Sequence, residues 1–149
     1  MPTNKLSPSQ ALQLDNQLCF ALYSTSLAMT KLYKPLLDEL GLTYPQYLAM
    51  LVLWEGDGLM VSELGDRLFL DSGTLTPLLK RLDAQDLVVR IRDVEDERRV
   101  RITLTAAGRK LKAKAHKIPE CILAASECSI PELISLTQQV QALRQRLTA

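Results

Sequence analysis

The stretch Val61–Thr105 constrains the fold most, because its hydrophobic pattern changes period within a short distance. Apolar residues recur at helical spacing in VSELGDRL and, after a turn, in SGTLTPLLKRLDAQ. Two runs that alternate apolar and polar residues follow, with an acidic loop between them. The order helix, turn, helix, β-hairpin predicts a winged helix-turn-helix, an architecture that places its second helix in the major groove of DNA.

The second helical segment has two distinct faces. Its apolar residues follow the i, i+3, i+4, i+7 spacing of a buried stripe: Leu75, Leu78, Leu79 and Leu82. Because proline distorts the interior of a helix, Pro77 predicts that the helix begins near Ser72–Thr74 or is kinked there. The opposite face carries small hydroxyls and then cations: Ser72, Thr74, Thr76, Lys80 and Arg81. This pattern favours DNA contact over a helix face that is merely solvated.

The net charge of +1 conceals an uneven distribution along the chain. Residues 1–79 hold 4 cations and 8 acids, residues 80–114 hold 11 and 6, and residues 115–149 hold 3 of each. The excess positive charge therefore lies on the second helix, the hairpin and the segment that follows. Local concentration of positive charge neutralises phosphates, so it favours binding to nucleic acid.

Alternation within the hairpin predicts which side chains face the core. The inward positions are predicted to be Leu87, Val89 and Ile91 in the first strand and Val100, Ile102 and Leu104 in the second. Arginines occupy most of the outward positions. Leu59–Met60 is predicted as a third short strand beside the hairpin.

At 149 residues, the chain is predicted to form one mainly helical domain with a small β-wing. Residues 44–104 would form the winged helix-turn-helix, residues 11–40 and 105–149 the flanking dimerisation helices, and residues 1–10 a loose arm. Both flanks carry apolar residues at three- and four-residue steps. Such seams either fold back on their own core or pair with a second copy, and seams at both ends favour a homodimer. A dimer would place two recognition helices about 34–36 Å apart, one turn of duplex.

Several protein classes are disfavoured by the remaining sequence features. The first residues lack the pattern of a signal peptide, and no apolar run approaches the roughly 20 residues that cross a bilayer, so we expect a cytoplasmic protein without a membrane partner. Cys19, Cys121 and Cys128 lack the spacing of a metal site and are either buried or reactive thiols. His116 is expected to be solvated rather than a ligand, and no metal or cofactor is predicted.

Two groups of residues resemble a known family. The run LFLDSGTLTPLLKRL at Leu68–Leu82, with Asp96-Glu97-Arg98 in the wing, resembles the MarR family of winged-helix repressors. The runs LDNQLCFALY at 14–23 and LTYPQY at 42–47 resemble its organic-hydroperoxide-sensing branch, the OhrR regulators. The likeness covers roughly residues 12–130. It implies a homodimeric, non-enzymatic repressor that leaves a pseudo-palindromic, A·T-rich operator when an organic hydroperoxide oxidises a cysteine.

The resemblance implies that Cys19 is the peroxide-reactive thiol. Tyr33 and Tyr44 would donate hydrogen bonds to its sulfur and stabilise the thiolate, with Tyr23 beside it. Cys19 and Tyr33 are fourteen residues apart, about 21 Å along one helix, so Tyr33 would come from the other subunit. An apolar pocket would favour organic peroxides over hydrogen peroxide, with these residues among its lining: Phe20, Leu22 and Met29.

A second thiol would condense with the sulfenic acid that Cys19 forms. In two-cysteine members of the family this thiol lies on the helix after the wing, at a position that reads Ala124 here. Cys121 lies one turn before that position and Cys128 one turn after it. We favour Cys121, because it lies within a continuous helix beside Ile118 and Ile122, while Cys128 abuts a helix break.

The resemblance also assigns the DNA contacts. Major-groove and phosphate contacts would come from Ser72, Thr74, Thr76, Lys80 and Arg81. Arg98 would enter the minor groove from the wing tip, braced by Asp96, which suits a narrow A·T-rich groove.

Two other functions fit part of the sequence. A MarR-type regulator could instead be released by a small aromatic acid bound between subunits, with Cys19 unreactive. A thiol peroxidase would need an activating cation beside the cysteine, and no lysine, arginine or histidine lies within one turn of Cys19.

Overall fold

The computed structural model describes residues 5–149, so residues 1–4 of the predicted arm lie outside the described residues. The elements are, in chain order, α1 (Pro8–Ala11), a 3-10 turn (Leu14–Asn16), α2 (Leu18–Asp38), α3 (Tyr44–Glu55), β1 (Leu59–Met60), α4 (Val61–Leu68), α5 (Ser72–Ala84), β2 (Val88–Arg92), β3 (Val100–Leu104), α6 (Ala106–Ala115), α7 (Lys117–Ser126) and α8 (Ile130–Leu147). This mainly helical chain with one small antiparallel sheet confirms the predicted fold class.

The helix-turn-helix consists of α4 and α5, joined by a turn in which Phe69 adopts a left-handed conformation with φ of 57°. α5 begins at Ser72, because the Asp71 carboxylate accepts a hydrogen bond from the Thr74 backbone N–H at 2.7 Å. The same hydrogen bond lowers the pKa of the Asp71 carboxyl below its ordinary value. The predicted apolar stripe of α5 is buried, which confirms its orientation: Leu75, Leu78, Leu79 and Leu82.

The sheet has the order β1-β3-β2, and the predicted third strand at Leu59–Met60 is confirmed. The inward face predicted for β3 is also confirmed, because Ile102 and Leu104 are buried and Val100 is partly buried.

The inward face predicted for the first strand of the hairpin is wrong. Val88 pairs with Leu104 and is 1% exposed, whereas Val89 is 43% and Ile91 50% exposed. Leu87 is buried as predicted, but it precedes the strand. A left-handed residue at Asp86 ends the turn after α5, and the alternation of the strand starts one residue later than expected.

α2 starts later than the helix predicted from residue 11. The side-chain NH₂ of Gln17 donates to the carbonyl oxygens of Ala11 and Gln13, at 2.6 and 2.9 Å. In a continuous helix, backbone N–H groups would bond to these carbonyl oxygens instead. Consequently α1 and the 3-10 turn occupy part of the region predicted to be a loose arm and a helix start.

The helical segment after the wing is divided into two helices. α6 ends at Ala115 and α7 begins at Lys117. Pro119 explains the break, because it lacks the N–H that would bond to the Ala115 carbonyl and its ring crowds that group. α7 packs against α2 and buries Ile118 and Ile122.

The seams predicted on the terminal helices lie on the surface of the protomer. On α2, large apolar side chains between 38% and 60% exposed include Leu18, Phe20, Leu22, Met29 and Leu32. On α8, the exposed members of the predicted seam are Leu136, Val140 and Leu147, and Ile130 and Ile134 outside that seam are exposed as well. Among the described residues, no helix combines the length and the apolar character needed to span a membrane.

Candidate functional site

The outward face of α5 carries the predicted DNA-contacting residues. Thr76 is partly buried, and the other four are exposed: Ser72, Thr74, Lys80 and Arg81. They lie opposite the buried leucine stripe, and the N-terminal turn offers backbone N–H groups that attract phosphate. The structure therefore brings the five residues onto one accessible helix face.

A groove of about 280 Å³ runs between the start of α5 and the wing. Ser72 and Thr76 line it from the helix, and Arg90, Arg98 and Arg99 line it from the hairpin. Arg90 and Arg99 were absent from the predicted contact residues, although the cluster of positive charge in residues 80–114 pointed to this segment. Positive groups thus face the hydroxyl-rich end of the helix across a space open to a ligand.

The wing tip holds Arg98 outward. Its side chain is 92% exposed, and Asp96 accepts hydrogen bonds from both the Arg98 backbone N–H and its Nε, at 3.1 and 3.2 Å. The Arg99 backbone N–H donates to the Asp96 carbonyl oxygen at 2.9 Å, which closes the turn. Asp96 thus holds the Arg98 backbone and side chain together at the wing tip.

Cys19 lies in the first turn of α2 and is exposed. Tyr23 follows one turn later and is 61% exposed. α2 is continuous from Leu18 to Asp38, so Cys19 and Tyr33 stand about 21 Å apart along its axis. A single protomer therefore does not bring the predicted thiol together with the predicted donor Tyr33.

Three tyrosines form a cluster where α2 meets α3. The ring centroids of Tyr33 and Tyr44 are 5.0 Å apart, and Tyr47 lies 5.9 Å from Tyr33 and 6.3 Å from Tyr44. Burial, then the neighbouring phenols Tyr44 and Tyr47, raise the pKa of Tyr33 to about 12, and burial likewise raises the pKa of Tyr44. The phenols consequently stay protonated and able to donate at neutral pH.

Tyr47 is a member of this cluster that the sequence reasoning missed. The available signal was its spacing, because residues i and i+3 share a helix face and Tyr47 follows Tyr44 by three positions. Its contact with Tyr33 depends on how α2 packs against α3, which the spacing does not contain.

A capping box fixes the start of α3, as the run Thr-Tyr-Pro-Gln predicts. The Thr43 hydroxyl accepts from the Gln46 N–H at 3.3 Å, and the Gln46 side chain accepts from the Thr43 N–H at 2.9 Å. This reciprocal cap holds Tyr44 in the first turn of the helix.

Replacing Thr43 with Ala should lower the free energy of unfolding by about 1 kcal/mol, because a backbone donor loses its acceptor. We expect the thermal midpoint to fall by roughly 2–4 °C for a chain of this size. Thr137→Ala is the matched control, since the Thr137 hydroxyl only bonds to the Leu133 carbonyl within its own exposed helix. Equal midpoints for the two variants in differential scanning calorimetry would contradict the capping role.

The two candidate second thiols differ in their surroundings. Cys121 is partly buried within α7, between the buried Ile118 and Ile122. Cys128 lies past the end of α7, after the left-handed Glu127, and its thiol donates to the Ser126 carbonyl oxygen at 3.4 Å. All three cysteines are free thiols.

Metal-ligating side chains do not cluster within residues 5–149: no group of three or more histidine, cysteine or acidic residues is placed to hold an ion. His116 is exposed at the break between α6 and α7.

An exposed polar helix face beside an arginine-bearing wing defines a winged helix-turn-helix transcriptional regulator. Comparisons with known proteins agree: the family described as transcriptional regulator SarA/Rot matches residues 31–115. The organic hydroperoxide resistance transcriptional regulator of Bacillus subtilis is 53% identical over 136 residues, 91% of this chain and 92% of that protein. The chain therefore belongs to the MarR family, in the organic-hydroperoxide-sensing branch.

Solved structures of AbfR from Staphylococcus epidermidis share the fold. Reduced AbfR bound to DNA superposes with a TM-score of 0.79 at 32% identity, covering 96% of this chain and 100% of that one. The disulfide form of AbfR gives a lower TM-score of 0.60 at 36% identity, covering 91% of this chain and 95% of that one. Overoxidised AbfR bound to DNA gives a TM-score of 0.77, so the two DNA-bound forms are similar to this chain and the disulfide form is less so.

Proposed function

We propose that this protein is a transcriptional repressor that binds operator DNA and releases it when an organic hydroperoxide oxidises Cys19. The observation that carries the proposal is the 53% identity to an organic hydroperoxide resistance regulator over 91% of the chain. AbfR, which has both a reduced DNA-bound form and a disulfide form, supports a cysteine switch. The existence of these redox forms favours cysteine oxidation, rather than binding of a small aromatic ligand, as the event that releases DNA.

The active species is proposed to be a homodimer built from the segments predicted at 11–40 and 105–149. The first reason is that apolar side chains line exposed faces of α2 and α8. Exposed apolar surface of this kind is typical of a protein–protein interface. The second reason is that Cys19 and Tyr33 lie about 21 Å apart along α2 of one chain and cannot meet there. A two-fold dimer would let Tyr33 and Tyr44 of one protomer meet Cys19 of the partner subunit, so each redox site needs both chains.

The chemistry at Cys19 begins with its thiolate. Hydrogen bonds from protonated phenols favour the charged sulfur, and phenols are protonated at neutral pH; burial raises the pKa of Tyr33 and Tyr44 further. The sulfur attacks the terminal oxygen of the hydroperoxide and the O–O bond breaks. Sulfur loses two electrons and becomes sulfenic acid, while the peroxide is reduced to an alkoxide, which takes up a proton and leaves as the alcohol.

A second thiolate then attacks the sulfenic sulfur, forming an S–S bond as the S–O bond breaks, and the hydroxide that leaves takes up a proton to become water. Forming this bond between subunits would pull α7 of one chain toward α2 of the other, and so change the spacing of the two recognition helices. One oxidation per site is sufficient for such a switch, so we infer a regulator rather than a catalyst. Its target is DNA, so we place its action in the cytoplasm.

DNA binding is assigned to the face described above. We propose that Ser72, Thr74 and Thr76 approach base edges and backbone, with Lys80 and Arg81 on phosphates. Arg98 would enter the minor groove on the same side of the duplex, at an A·T-rich step of a pseudo-palindromic operator.

The proposal is tested by titrating the complex of the reduced protein and operator DNA with cumene hydroperoxide or hydrogen peroxide, following fluorescence anisotropy. We expect the organic peroxide to release DNA at lower concentration, and dithiothreitol to restore the complex. Intact-mass and peptide mapping of the same samples should locate the first oxidation at Cys19. Release without any change in mass would overturn the redox proposal.

Cys121→Ser and Cys128→Ser separate the candidate second thiols. If Cys121 resolves the sulfenic acid, Cys121→Ser should eliminate the covalent dimer on non-reducing gels after peroxide, because no thiolate then reaches Cys19. Cys128→Ser should dimerise as the native protein does, and it serves as the matched control. The reverse outcome would assign the role to Cys128.

A further inference from the structure

We propose that Tyr47, through its ring, is a positioning residue that holds Tyr33 and Tyr44 where they can donate to Cys19 of the partner subunit. This inference rests on the proposed function and adds to it a residue that does not touch the sulfur. It starts from the packing of three aromatic rings between α2 and α3.

The first step is the depth of the three residues. Tyr47 is 4% exposed and belongs to the buried core, whereas Tyr33 and Tyr44 are partly buried and pack against that core. Tyr47 therefore lies behind the other two, on the side away from the surface. A side chain packed in the core keeps one rotamer, so Tyr47 can fix the positions of the rings that pack against it.

The second step is the geometry of the contacts. All three centroid separations fall between 5.0 and 6.3 Å, and the ring planes are inclined by 43° to 56°. These separations lie within the roughly 4.5–7 Å range of interacting aromatic pairs, and an aliphatic side chain cannot reproduce contacts between flat rings. Tyr47 contacts one donor from each helix, so it sets the position of Tyr33 relative to Tyr44.

The third step concerns how rigidly Tyr47 itself is held. Its backbone N–H donates to the Thr43 carbonyl oxygen at 2.9 Å, within the capped first turn of α3. Burial and the neighbouring Tyr44 also raise the pKa of Tyr47, which keeps this part of the cluster uncharged. A donor pair meant to meet a sulfur from another chain needs such support, because a small displacement lengthens both hydrogen bonds.

The test uses the reduced dimer carrying Cys121→Ser and Cys128→Ser, so that Cys19 is the only thiol. Alkylation by iodoacetamide is measured across pH, since its rate follows the thiolate fraction. We expect Tyr47→Leu to raise the pH midpoint by about one unit, and so to slow alkylation by roughly tenfold at pH values well below the native midpoint. Tyr47→Phe keeps the ring and should restore the native midpoint.

Leu53→Ala is the matched control, because it removes buried volume from the same helix, nearly two turns beyond Tyr47. It should lower thermal stability without moving the alkylation midpoint. If Tyr47→Leu does not give a folded dimer, Tyr47→Met fills a similar volume without a flat ring and takes its place. A native midpoint in the Leu or Met variant would overturn the inference.

A further variant separates this inference from the proposed function. Tyr33→Phe combined with Tyr44→Phe removes both donors and should raise the alkylation midpoint. If that double variant shifts the midpoint and Tyr47→Leu does not, only the role of Tyr47 is wrong. If neither shifts it, the tyrosines do not support the thiolate, and the proposed redox site is wrong as well.

Discussion

Replacing Cys19 with Ser should abolish release of operator DNA by organic hydroperoxide while leaving the affinity of the reduced protein for DNA unchanged. Cys19 is exposed in the first turn of α2 and distant from α5 and the wing in sequence, so a hydroxyl of similar size preserves the fold and the reading face. A serine hydroxyl forms no sulfenic acid under these conditions, so the electron transfer that starts the switch cannot occur. Anisotropy of labelled operator DNA during peroxide titration measures both quantities.

The double variant Cys121→Ser, Cys128→Ser is the control for this experiment. It retains Cys19 and should still be oxidised by stoichiometric peroxide, as intact mass would show, although no disulfide can follow. If Cys19→Ser repressor released DNA at the same peroxide concentration as the native protein, another group would be the sensor. A thiol on α7 or a bound ligand would then be the remaining explanations.

The parts of the fold that the sequence predicts well depend on local chemistry. The start of α5 follows from Asp71, whose carboxylate caps the helix, and its orientation follows from the leucine stripe. The capping box at Thr43 is similarly local. Both are determined by residues within one or two turns of each other, so a single sequence contains the information.

The face of β2 depends on information that alternation does not carry. The first strand has two possible inward faces, Leu87–Val89–Ile91 and Val88–Arg90–Arg92, and alternation alone favours the first because all its members are apolar. The left-handed turn at Asp86 and the pairing of Val88 with Leu104 select one of them. Arg90 then shares the inner face and reaches Asp83 of α5 at 3.0 Å, a contact between separate elements.

The candidate redox site likewise depends on contacts between distant parts of the molecule, which local sequence pattern does not contain. Sequence resemblance predicts that Cys19, Tyr33 and Tyr44 act together, but the continuous α2 keeps Cys19 and Tyr33 about 21 Å apart along its axis, so one protomer does not unite them. The position of a second chain is not encoded in local pattern, and the exposed seams indicate only that one is required. Tyr47 was missed because its importance lies in the packing of α2 on α3.

Replacing Arg98 with Ala should weaken operator binding by about 1–3 kcal/mol, which corresponds to roughly five- to 150-fold in the dissociation constant. The Arg98 side chain is 92% exposed and bonds to Asp96 within the same loop, so we expect its loss to leave the fold intact. Its removal takes one cation from the proposed minor-groove contact. The slope of log affinity against log salt should accordingly fall by about one per site.

Lys112→Ala distinguishes a wing contact from a general loss of positive charge. Lys112 is exposed on α6, outside the groove between α5 and the wing, and its removal changes the net charge by the same amount. We expect its effect on operator affinity to be small at physiological salt, where charges beyond about 8 Å are screened. The loss of operator affinity for Asp96→Ala should lie between the losses for Arg98→Ala and Lys112→Ala. Asp96→Ala keeps the Arg98 charge but removes the acceptor of the hydrogen bonds from the Arg98 backbone N–H and Nε. If Arg98→Ala and Lys112→Ala weakened binding equally, the wing would contribute charge but no specific contact, and the hydroxyl face of α5 would have to carry operator recognition alone.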